Sequence, residues 1–184
     1  MTEPEDDFNV LVLGVGNLLL SDEGIGPRII SELLNYYHIP AGVEVVDGGT
    51  MGYDLLPYLA GRSHLFIVDA FISEKIPGTV SRIELEDAGA FFRNRMSPHQ
   101  LGMADVLAVA TMTDELPPSV ILFGIEPATL DSGLELSAEV KVGAEKLRTM
   151  LLAELKFLGA DFVRKEHRVA DINAFPLEVN PVQG

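Results

Sequence analysis

Apolar residues along this chain fall into two rhythms. Residues 10–13, 64–68 and 119–125 are short, nearly unbroken apolar runs, and residues 43–46 form a fourth with one glutamate inside it. Each is bounded by Gly, Asp, Pro or Ser, the pattern of a strand buried on both faces. Between them, apolar positions return every three or four residues. Ile29, Ile30, Leu33, Leu34 and Tyr37 predict a helix over 27–37, with Pro27 in its first turn. Met51, Leu55, Leu56 and Leu59 predict another, capped by Thr50. Met103, Val106, Leu107 and Ala110 give a third its buried stripe. Its start, S-P-H-Q, supplies a Ser97 cap, Pro98 at the first helical position and Gln100 to reach back. Val140, Ala144, Leu147, Leu151, Leu155 and Leu158 mark a last helix over 137–158. Only residues 78–85 alternate, predicting a strand with one wet face, an antiparallel edge.

Strands alternating with helices predict one α/β domain: a doubly wound, mostly parallel sheet with helices on both faces. At 184 residues, one domain over 1–163 suffices. Beyond it, residues 164–184 lose periodicity and read as a poorly patterned tail. The acidic start M-T-E-P-E-D-D is unlike a secretory signal, and no apolar run is long enough to span a bilayer. A cytoplasmic protein with no membrane partner is expected.

Composition narrows the chemistry. The formal charge is −15, from 13 basic and 28 acidic residues, which disfavours nucleic acid as a partner. There are no cysteines, so no disulfide, thiolate ligand or cysteine nucleophile exists. Gly-x-Ser-x-Gly and His-Glu-x-x-His are both absent. The Gly14-Val15-Gly16 turn begins a dinucleotide fingerprint, but Leu19 stands where its third glycine is needed. A nucleotide enzyme ranks last, since Arg28 alone offers phosphate a charge near that loop.

Acids cluster differently. Glu23 follows the first strand, Asp47 closes the second and Asp69 closes the third. If these strands are parallel, all three acids emerge at the carboxyl edge of the sheet, where open α/β proteins bind ligands. His99 sits on the first turn of a helix, where the dipole favours the neutral imidazole that binds metal. Carboxylates plus an imidazole suit a borderline divalent ion with positions left open. Each residue alone has a commoner explanation as a turn, a cap or plain surface. For His38, His64 and His167 that plain explanation is preferred.

Four blocks carry a resemblance: L-V-L-G-V-G-N-L-L-L-S-D-E-G-I-G at 11–26, V-D-G-G-T at 46–50, V-D-A at 68–70, and S-P-H-Q-L-G-M-A-D-V-L at 97–107, with G-I-E-P following at 124–127. In this order and spacing the chain resembles the nickel–iron hydrogenase maturation endopeptidases, over roughly residues 9–158. The resemblance implies a three-layer fold, a twisted five-stranded mostly parallel sheet with one antiparallel strand. It implies one endoproteolytic cut, removing the C-terminal extension of the hydrogenase large-subunit precursor after nickel loading. The family's metal-binding residues fall on Glu23, Asp69 and His99. Its Asp before Gly-Gly-Thr falls on Asp47, the candidate base for an attacking water in a chain without a plausible Ser or Cys nucleophile. The nickel would be the substrate's own, with no organic cofactor. The alternative is a non-proteolytic nickel-binding chaperone that holds the same precursor.

Overall fold

The unbroken apolar runs become the middle of one sheet. The computed structural model describes residues 8–85 and 98–166, with the side chains of 98–102 outside that set. Ser97, Gln100's reach-back, His167 and the rest of the tail from 167 therefore lie outside the described residues. Strands β1 (Val10–Val15), β3 (Val43–Gly49), β4 (His64–Ala70), β5 (Val80–Glu84) and β6 (Ser119–Ile125) form a five-stranded sheet in the order β3-β1-β4-β6-β5. All neighbours are parallel except β5, which runs antiparallel to β6 at one edge. The period-two pattern over 78–85 is therefore an edge strand, as its alternation implies.

Alternation along the strands divides the core into two layers. Leu11, Leu13, Leu65, Ile67 and Leu122 face helices α2 (Leu56–Leu59) and α3 (Pro98–Met112), where Met103, Val106, Leu107 and Ala110 are all buried. Val10, Val12, Phe66, Val68 and Phe123 face α1 (Ile25–Tyr36) and α4 (Ala138–Phe157). Phe66 and Phe123 meet edge to face, centroids 5.6 Å apart. Among the described residues, no helix is long and apolar enough to cross a membrane.

Helix α4 starts where its cap requires. Ser137 is the N-cap, and its side chain accepts the Val140 N–H at 3.2 Å. Ser137→Ala removes that acceptor and is expected to cost about 1 kcal/mol, a fall in melting temperature of about 2–4 °C by calorimetry.

Three local expectations are corrected. Thr50 does not cap a helix: the N-cap position is Met51, without a side-chain bond, and the segment is a 3-10 turn (Gly52–Leu55) running into the short α2. Gly52 at φ +59° and Pro57 near the start of α2 prevent one continuous helix. Met51 is exposed, while Leu55 and Leu59 are buried. In α1, Leu34 faces solvent, because Ile29, Ile30 and Leu33 already fill the stripe against the sheet. Tyr37 leaves that helix to form β2 (Tyr37–His38), paired antiparallel with β7 (Val163–Arg164).

That pairing carries order past residue 163. The Lys165 backbone N–H donates to the Tyr36 carbonyl at 2.8 Å and its ammonium to the Leu34 carbonyl at 2.7 Å. A lysine from far along the chain thus satisfies carbonyls at the end of α1 that the helix itself leaves open. Arg82 of β5 clasps Glu154 of α4 with two bonds of 2.9 Å, and this hydrogen bonding raises the arginine's pKa above its ordinary value.

Candidate active site

The carboxyl edge is built from a glycine-rich turn whose geometry only glycine permits. Gly16 has φ +132°, and a Cβ there would lie 1.9 Å from the Glu23 carbonyl oxygen. Its N–H donates to the Gly49 carbonyl at 3.0 Å, joining the turns after β1 and β3. Asn17 then folds its side chain back to accept the Leu19 N–H at 3.0 Å. A 3-10 turn (Ser21–Gly24) follows, all of it buried, and leads directly into α1. A Cβ at Gly26 would lie 2.2 Å from the Val15 oxygen and 2.4 Å from the Val68 oxygen. Helix α1 therefore rests against the backbone ends of β1 and β4, and the Glu23 turn packs against β4, the strand that carries Asp69.

Four carboxylates are buried among the described residues: Asp22, Glu23, Asp69 and Glu126. All four belong to the carboxyl edge. Burying a carboxylate is costly unless hydrogen bonds or a cation meet it. Asp22 meets that condition with three backbone donors: Ala128 N–H at 2.9 Å and Thr129 N–H at 3.1 Å on Oδ2, and Ser137 N–H at 2.7 Å on Oδ1. Glu126 accepts the Ser73 N–H and the Ser73 hydroxyl, each at 2.7 Å, on Oε2. These two anchor the loops after β6 and β4. Sequence reasoning assigned them no part, although both stand inside quoted motifs, S-D-E and G-I-E-P. Asp22's donors lie more than a hundred residues away, which no local pattern announces.

Glu23 and Asp69 are the other two. Leu65 and Ile67 face α3, so Asp69, two residues further along β4, faces the same layer. Helix α3 joins β6 through the turn at 113–118, so its C-terminus lies at the amino edge. Its length of about 22 Å brings its first turn, with His99, back to the carboxyl edge. The side chain of His99 lies outside the described residues. Among those described, no three His, Cys, Asp or Glu side chains stand close enough to hold an ion.

Asp47 is placed differently. It is exposed, and its Oδ1 accepts the Gly49 N–H at 3.0 Å across the register shift at the end of β3. Its register partner is Gly14, which also pairs with Val68, so two strand spacings, about 10 Å, separate Asp47 from the end of β4. Val43 and Val45 face α1, so alternation directs Asp47 to that layer, away from Asp69. His64 accounts for itself as a strand residue, 3.0 Å from the Ser63 hydroxyl and edge-on to Phe66. His38 is an exposed residue of β2.

Comparison with known proteins gives one consistent result. The family model described as hydrogenase maturation protease matches residues 27–154. The chain is 43 % identical to the hydrogenase 2 maturation protease of Escherichia coli K12 over 160 residues, covering 86 % of this chain and 98 % of that protein. The solved E. coli hydrogenase maturating endopeptidase HybD superposes with a TM-score of 0.81 at 41 % identity, covering 85 % of this chain and 98 % of that one. A NiFe hydrogenase maturation protease, HybD of Thermococcus kodakarensis, superposes with a TM-score of 0.63 at 30 % identity, covering 78 % and 96 %. The five-stranded mostly parallel α/β architecture is shared with these structures.

Proposed function

The chain belongs to the hydrogenase maturation protease family, and from that premise we propose that it makes one hydrolytic cut, removing the C-terminal extension of a nickel-loaded hydrogenase large-subunit precursor. The observation that carries this reading is the burial of Glu23 and Asp69 at the carboxyl edge of the sheet, the edge to which α3 returns its first turn with His99. Two oxygen donors and one imidazole suit a borderline divalent ion with positions left open. That is the ligand set for an ion delivered by another protein rather than one held in a closed structural cage.

In this mechanism nickel is part of the substrate. Glu23, Asp69 and His99 engage the nickel of the loaded precursor and so position the adjoining extension. An unloaded precursor lacks that contact and stays uncut. The chain has no cysteine and no Gly-x-Ser-x-Gly element to present a serine, and water is taken as the nucleophile. Asp47 serves as the base for that water. Two strand spacings lie between Asp47 and the end of β4, so in this reading it acts on the water and not on the nickel.

The test is incubation of the purified protein with nickel-loaded and nickel-free precursor, read by intact mass. The expected result is loss of a C-terminal peptide from the loaded form alone. Binding without any mass change would overturn the protease and make the chain a holding chaperone. Equal cleavage of both forms would overturn the nickel dependence.

A further inference from the structure

Three leucines stand in water beside this buried site. Leu18, Leu19 and Leu134 are 42 %, 63 % and 62 % exposed. They are carried on firmly tied backbone. The Leu19 carbonyl accepts the Gly133 N–H at 2.9 Å, and the Gly133 carbonyl accepts the Ser21 N–H at 2.8 Å, forming a parallel bridge between Leu20 and Gly133. The Ser21 hydroxyl donates to the Asp131 carbonyl at 3.0 Å, and the Arg28 guanidinium donates to the Leu134 carbonyl. Gly133 permits the approach, since a Cβ there would lie 2.5 Å from the Ser21 oxygen. Asp22 holds the same loop at 128, 129 and 137. Leu18 lies over Gly24, next to Glu23. The bonds thus fix an apolar lip on the turn that carries a proposed metal contact.

An apolar patch held in place beside a site marks an interaction surface. The formal charge of −15 disfavours an anionic occupant. We propose that this lip is where the precursor polypeptide docks, burying an apolar stretch of its chain against Leu19 and Leu134 while its nickel reaches Glu23. This deepens the function proposed above and rests on it. The lip determines affinity for the precursor, and the carboxylates serve the cut.

The test is the Leu19→Ser/Leu134→Ser double variant, assayed on nickel-loaded precursor. Exposed positions tolerate such changes with little loss of stability. KM is expected to rise at least about tenfold, with the rate at saturating precursor within about twofold of wild type. Phe157→Ser is the control. Phe157 is 86 % exposed but lies at the far end of α4, about 30 Å along the helix from Ser137. An unchanged KM in the double variant, or an equal rise in Phe157→Ser, overturns the lip while leaving the protease intact. A wild-type dimer that the double variant dissolves, with KM unchanged, would assign the lip to a second copy and also overturn the proposal. If the wild-type protein does not cut at all, the proposed function fails. Equilibrium binding of the same precursor then decides the lip, by a Kd at least about tenfold weaker in the double variant or by one unchanged.

Discussion

Asp69→Asn is expected to slow cleavage of nickel-loaded precursor by more than about a hundredfold while the protein keeps its fold. Asparagine has nearly the same shape, so the change removes charge and one acceptor oxygen without opening a cavity. Asp69 is fully buried at the end of β4, in the layer that faces α3. Losing a residue that merely orients a metal ligand typically costs 10–100-fold, so losing a ligand itself is set above about a hundredfold. Single-turnover cleavage read by intact mass gives the rate, and circular dichroism gives the fold. Wild-type turnover by the folded variant would remove Asp69 from the site. Glu23→Gln is expected to behave alike, because the Gly16 and Gly26 contacts bring the Glu23 turn to the same strand end.

The largest effect on stability is expected from Asp22→Ala. The substitution leaves the N–H groups of Ala128, Thr129 and Ser137 without their carboxylate acceptor. These sites are partly buried, so water recovers some of the loss. A total of about 3 kcal/mol follows from charge-assisted bonds of this kind. In a domain of this size that is a fall in melting temperature of about 6–12 °C. Asp22→Asn should fall between alanine and wild type, since an amide can replace one oxygen but turns its NH2 toward a donor at the other. A melting temperature within about 1 °C of wild type in Asp22→Ala would show that the loop after β6 is held by other bonds. Hydrogen exchange at residues 128 and 129 separates loosening of the loop from global unfolding.

The sheet was legible because its strands are read by composition alone. Residues 64–68 and 119–125 are so apolar that only burial on both faces explains them, and β4 and β6 occupy the centre. Helix α4 was legible because Val140, Leu147, Leu151 and Leu155 recur along one buried side, and Ser137, where that pattern starts, is its N-cap. Thr50 reads as a cap and was overruled by Gly52 and Pro57, whose backbone constraints outweigh a favourable side chain. The pairing of β2 with β7 was invisible, since two residues carry no period. In the site, the placement of Glu23 and Asp69 at one edge followed from strand polarity. The separation of Asp47 did not, because it depends on pleat parity and on β1 lying between β3 and β4. Asp22 and Glu126 were missed because their partners are set by tertiary structure.

Asp22 also has a consequence for synthesis. Its three donors lie 106, 107 and 115 residues downstream. The sheet behaves likewise: Val10 pairs with Val43 and His64, and His64 with Ser119. Such distant pairings are slow to form, since loop closure must precede any gain from contact. A ribosome adding about 5–20 residues per second needs roughly 6–23 seconds to make the stretch between Asp22 and Ser137. During that interval Asp22 lacks the three donors it holds in the folded chain. The loop after β6 is tied to Asp22 only once Ser137 exists, so the carboxyl edge that carries Glu23 and Asp69 is not complete before that residue has been made.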